Sequence, residues 1–132
     1  MDPRKILRAL EKGVETSEKL GIKTSIAIVD VSGVQLGLVR MDGSFSVSPL
    51  FAFTKATTSA TLGFPTSTLA QYAGEGKPYN GIDNMDSGKF TTIAGGVPVM
   101  FDGKLFAGVG VGGASDVNQD EQIAKSVAEA LA

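Results

Sequence analysis

The chain has 132 residues, the size of a single domain, and contains neither cysteine nor histidine. This excludes disulfides, thiolate metal sites and cysteine nucleophiles, and it removes the usual general base and the commonest haem ligand. A net charge of −2 provides no basic footprint for nucleic acid, and no stretch approaches the ~18 apolar residues of a membrane span.

The charged opening, MDPRKILRALEKGVE, has no apolar signal-peptide core, so the expectation is one soluble, cytoplasmic domain over residues 1–132. Asp2 and Pro3 read as the cap and first residue of a helix. Ile6, Leu7, Leu10, Val14 and Leu20 form its apolar stripe, and Gly21 is its stop. TSIAIVDV then reads as a strand, and Ser32-Gly33 turns it into VQLGLVR to make a hairpin. After the loop MDGSFSVS, Ser48-Pro49 repeats the cap-then-proline start for a helix, LFAFTKATTSATL, that ends at Gly63. Thr66 or Ser67 caps a short helix. Residues 74–89 carry turn residues throughout and no periodicity, the mark of a long functional or mobile loop.

FTTIAGGVPVMF and KLFAGVGVGG follow as a second hairpin, joined by Asp102-Gly103, a type I′ signal. The last helix, QDEQIAKSVAEALA, has Asn118 and Glu121 at capping-box spacing and Ile123, Val127 and Leu131 on one stripe. Two hairpins among helices predict an α+β domain with an antiparallel sheet of about five strands.

FAGVGVGGASD contains a literal G-x-G-x-x-G at Gly108, Gly110 and Gly113. A dinucleotide turn needs that pattern where a strand opens a helix inside a βαβ unit. Here glycine alternates with Ala and Val at period two, which belongs inside a strand, so no nucleotide is expected. Gly108, Gly110 and Gly112 share one face and leave it bare. A closely packed helix, a subunit partner or a flat ligand on exposed backbone would each account for it.

Taken in order, IAIVDVSGVQLGLVRMDG, FAFTKATTSATLGFPTSTL, AGGVPV and GVGVGGASDVNQDEQIAKS resemble the haem-binding GlcG/HbpS-like proteins, a domain that also forms the C-terminal part of PduO-type corrinoid adenosyltransferases. The most specific marks are Lys55-Ala56, Gly95-Gly96-x-Pro98, the Gly-Val-Gly strand, Asp120 and Ala124. The resemblance implies a profilin-like domain, homo-oligomers from dimer to octamer, and a haem or corrinoid ligand. It also implies a link to glycolate or diol metabolism. Members with a histidine axial ligand differ from this chain, which has none.

The site expected on these grounds comprises Lys55, Thr58 and Ser59, neighbours on one helix, with Tyr79, Gly95, Gly96, Gly108, Gly110 and Gly112. A lysine among hydroxyls suits a carboxylate or propionate. The candidate iron donors are Tyr72, Tyr79, Met41, Met85 and Met100, with Tyr79, in the long loop, foremost. DNMDSG fails as a calcium loop, having Met85 at its third position, and no metal site is expected. A small oligomeric binding protein for a tetrapyrrole is the leading reading. A structural or accessory subunit of small-carboxylate metabolism, and an enzyme using Lys55, are the alternatives.

Overall fold

In a computed structural model describing residues Met1–Ala132, Asp2 accepts from the Arg4 amide and starts α1, Pro3–Leu20, which ends at Gly21 in the left-handed conformation. β1, Ser25–Asp30, and β2, Gln35–Arg40, form the first hairpin. The Asp30 carboxylate accepts from the amides of Ser32 and Val34, so it is spent on holding the turn. α2 spans Ser48–Leu62, and Gly63 stops it in the left-handed region. A single-turn α3, Thr66–Leu69, leads into a long loop whose only regular parts are the 3₁₀ turns Ile82–Asn84 and Asp86–Gly88. β3, Gly96–Phe101, and β4, Lys104–Gly112, form the second hairpin, and α4, Val117–Leu131, closes the chain. Asp102 and Gly103 both have positive φ, as a type I′ turn requires. No helix is long and apolar enough to cross a membrane.

The sheet is antiparallel throughout, in the order β2-β1-β4-β3. It has four strands where the sequence reading expected about five. The third strand was also expected to begin at Phe90, and it begins at Gly96. The stretch between them is irregular, and the Thr91 amide donates to the Thr58 hydroxyl on α2 instead of to a neighbouring strand. Two caps also differ. Asp116, not Asn118, caps α4 by accepting from the Asn118 amide. Ser48 lies inside the first turn of α2, and its hydroxyl is shared with Ser25 on β1 and Ser44.

The two faces of the sheet have opposite character. On one, Ile26, Ile28, Val97, Val99, Val109 and Val111 pack against α1 and α4 in the main apolar core. On the other, β1 presents Ser25, Ala27 and Val29, in register with Gly112, Gly110 and Gly108 of β4. α2 lies on this second face and meets it with Ala52, Ala56 and Ala60. The bare glycine face is therefore a helix seat.

The seat is tight enough to exclude any side chain. A Cβ built on Gly110 would stand 2.0 Å from the Ala52 carbonyl oxygen and 2.4 Å from the Ala56 nitrogen. On Gly108 it would stand 2.3 Å from the Ala56 oxygen. Both obstacles are helix backbone, which cannot rotate away. Gly110→Ala is therefore expected to cost about 3 kcal/mol or to prevent folding, at or beyond the top of the usual overpacking range. Gly37→Ala, whose Cβ would meet only the flexible ends of Ile6 and Leu10, should cost about 1 kcal/mol or less. Urea midpoints of the two variants measure the difference, and equal midpoints would contradict this account of the seat.

Candidate functional site

All of the sequence-predicted site residues except Tyr79 gather at the α2 seat. They form packing and a buried ion pair there, with no opening to solvent. Lys55 is 1% exposed. Its Nζ donates to the Val111 carbonyl at 2.8 Å and to Asp120 Oδ2 at 3.0 Å, and it stands 5.7 Å from the Phe51 ring centroid. Gly95 and Gly96 make room for this lysine. A Cβ on Gly95 would lie 2.7 Å from the amine, and one on Gly96 would lie 2.4 Å from the Lys55 carbonyl oxygen. The Thr58 hydroxyl donates to the Thr54 carbonyl as well as receiving Thr91. Ser59 donates to the Phe64 carbonyl. A carboxylate ligand or a Schiff-base substrate has no path to Lys55, and no flat ligand fits against Gly108, Gly110 and Gly112.

Asp120 is the partner that sequence reading did not assign. It sits in the first turn of α4, where its other oxygen accepts from the Ala114 amide and so fixes the connection from β4. The signal was present: Asp120 falls on the stripe of Ile123, Ala124, Val127 and Leu131, an acid on an apolar face. Such a residue needs a buried cation or dense hydrogen bonding.

Desolvation raises the Asp120 carboxyl above its ordinary value and lowers the Lys55 amine below its own, in each case against the opposing pull of the partner's charge. A raised carboxyl contributes stability that is full below its unfolded value and lost as pH rises through the folded one. A lowered amine contributes stability that is full above its unfolded value and lost as pH falls through the folded one. The amine and the carboxylate are 3.0 Å apart and both buried, so the pair ties α2 to α4 with little net gain.

The surface offers two other features. An apolar cavity of about 140 Å³ is lined by Phe64, Thr68, Leu69, Tyr72 and Tyr79, between α3 and the long loop. The two tyrosine rings are 6.1 Å apart at an angle of 48°, and the Tyr79 amide donates to the Tyr72 carbonyl at 2.9 Å. Ile82 is buried and anchors the loop just beyond. A wider groove of about 330 Å³ runs along the outer side of α2, among Val47, Leu50, Phe51, Phe90 and Ile93. Of the methionines named as donors, Met41 has its sulfur engaged by the Thr24 amide and hydroxyl, whereas Met85 and Met100 are exposed. No group of three or more carboxylates gathers to hold a metal ion.

The family described as "Haem degrading protein HbpS-like" matches residues 1–129. The chain belongs to this family. Crystal structures share its fold: HbpS of Streptomyces reticuli, as a double mutant, has a TM-score of 0.90 at 33% identity, covering 100% of this chain and 87% of that one. A structure described as the PduOC:heme complex has a TM-score of 0.91 at 28% identity, covering 98% and 94%. Among curated relatives, the corrinoid adenosyltransferase PduO of Salmonella typhimurium is 31% identical over 118 residues, 89% of this chain but 35% of that protein. The chain thus spans about a third of that enzyme. Protein GlcG of Escherichia coli K12 is 32% identical over 99 residues, 75% of this chain and 71% of GlcG.

The ion pair generates a test. Lys55→Met and Asp120→Leu should each cost about 3–5 kcal/mol at pH 7, because each strands a buried charge or its partner. Combined, they should restore stability to within about 1 kcal/mol of the parent or exceed it. Urea unfolding of the four proteins closes the cycle. A double variant as unstable as the sum of the singles would show that the two side chains are not coupled, and would contradict this account of the pair.

Proposed function

We propose that the chain is a small haem-related binding protein, and that the tyrosine-lined cavity between α3 and the long loop holds the edge of the tetrapyrrole. Membership of the HbpS-like family carries this reading, supported by the likeness to a haem-complexed structure over nearly the whole chain. The cavity suits such a ligand in kind, with Phe64, Leu69 and the two tyrosine rings for a porphyrin face and Thr68 as a polar neighbour. Lys77, exposed on the turn that carries Tyr79, offers a cation to a propionate. The donor set also fits: with histidine and cysteine absent, phenol oxygen remains as a haem ligand type. Bound haem would supply an iron centre, while the protein's part is to hold and orient it. A cavity of about 140 Å³ is smaller than the ~300–1,000 Å³ usual for such ligands, so most of the ring would stay outside it.

Homo-oligomers belong to the same proposal. Val47, Leu50 and Ile93 are exposed apolar residues along the α2 groove, which they line together with the polar Thr54, Asp83 and Thr91, and a second copy of the chain is its proposed occupant.

Titration with hemin should give a saturable Soret change at one haem per chain. Cobalamin in a parallel titration tests the corrinoid alternative. Hemin binding no better than to an unrelated control protein would end the haem reading. Light scattering should give a mass above one chain for the parent and a lower mass for Leu50→Glu, and a monomeric parent would end the oligomer reading.

A further inference from the structure

We infer that residues 83–90 form a strap that swings away from α2 and so gates the groove beside it. The motion is a property of the free chain and depends on neither the haem nor the second-copy reading.

The segment is tethered at both ends and free between them. At one end Ile82 is buried. At the other, the Thr91 amide donates to the Thr58 hydroxyl on α2 at 2.9 Å. Between these anchors the hydrogen bonds are local. Asn84 donates to Gly81, Met85 to Ile82, Gly88 to Met85 and Lys89 to Asp86. The three ion pairs of the chain all lie elsewhere. Residues 83–89 are exposed throughout. Exposed backbone held only by its own short turns belongs to the low-stability end of a fold, where local opening is easiest.

The strap is also strained. Asp86 has φ 53°, Ser87 has φ 57° with ψ 36°, and Gly88 has φ 77°. Three successive residues therefore occupy the left-handed region, which Gly, Asn and Asp tolerate and other residues disfavour. Ser87 is the one that lacks this tolerance, and its exposed side chain has no packing to offset the cost. Strain of this kind persists only where surrounding contacts hold it, and it clusters at clamps and switch regions. Phe90 is the one half-buried residue of the strap, and it lines the groove with Phe51 and Thr54 of α2. Burial of Phe90 favours the closed position, while the left-handed turn favours release. Two opposed terms of this kind give an element two positions.

Asp83, Gly88 and Phe90 supply one wall of the groove, and Leu50, Phe51 and Thr54 the other. Release of the strap removes the first wall and opens the outer side of α2.

Substitution of Ser87 tests this, because its exposed side chain lets the backbone preference change alone. Trypsin cleavage after Lys89 needs the strap released. It should be about tenfold faster in Ser87→Val, a β-branched residue ill suited to positive φ, and about threefold slower in Ser87→Asn. Cleavage after Lys12, in α1, should be the same in all three proteins. The chain has no cysteine, so the thiol introduced by Thr54→Cys reports access to the groove. In that background its labelling by a bulky maleimide should follow the same order across the Ser87 series. Equal cleavage after Lys89 in the three proteins would overturn the strap. A parallel change after Lys12 would overturn it too, by assigning the effect to the whole fold. Labelling that stays constant while cleavage after Lys89 changes would overturn the gate.

Discussion

The backbone of α2 rests on the backbone of β4. Glycine at 108, 110 and 112 is the only residue type that permits this approach, since each missing Cβ corresponds to a helix atom within 3 Å. Glycine in a strand normally weakens it by about 0.5–1 kcal/mol. Here close contact with the alanine stripe of α2 offsets that loss, and the rest of the second face is built to match. Ala27 and Ser25 on β1 are small, Gly96 on β3 lies beneath the Lys55 carbonyl, and Ser25 and Ser48 share a hydrogen bond across the interface.

So close a seat has an electrostatic consequence. Lys55 projects from α2 at a point where the helix lies against the sheet, and its stem runs over Gly95 without a route to water. The amine must find partners inside, and it finds a strand carbonyl and the one acid on the inward stripe of α4. Elements distant in sequence are thereby joined, with α2 on one face of the sheet linked to α4 on the other past the end of β4. The same helix sets the outer site. Gly63 ends it in the left-handed conformation, Ser59 holds the Phe64 carbonyl, and α3 follows at once with Leu69 buried. One wall of the tyrosine cavity is therefore as fixed as the core, while the other is carried by a loop.

How much of this the sequence disclosed depends on what each feature rests on. The helices, both hairpins, the Asp102-Gly103 turn and the division of β4 into a glycine face and a valine face follow from local periodicity and turn chemistry, and these were legible. The irregular course of residues 90–94 was not, because Phe, Thr and Ile there have strand propensity and only a tertiary bond, from Thr91 to Thr58, decides against it. The use of Ser48 was hidden for the same reason. A serine before proline reads as a cap, and the strand hydroxyl that claims it is 23 positions earlier in the sequence. Lys55 was noticed for its chemistry, but its fate depended on the depth of the glycine seat. Periodicity shows that a face is bare, not what fills it.

The residues that carry the family likeness are, in the fold, the packing of the α2 seat. Lys55-Ala56, Gly95-Gly96, the Gly-Val-Gly strand and Asp120 all lie within it. Each is constrained by a backbone contact or a buried charge, so a relative that keeps the fold must meet the same constraints. Tyr72, Tyr79 and the loop around them are under no such constraint. Their backbone is mostly exposed, held by turns and by Ile82. Substitutions there cost the scaffold little, since surface changes away from special features usually stay within about 0.5 kcal/mol. Likeness in this family therefore speaks first for architecture. In this chain those positions hold Tyr72 and Tyr79, which line a cavity with Phe64, Thr68 and Leu69 and leave the seat beneath α2 untouched.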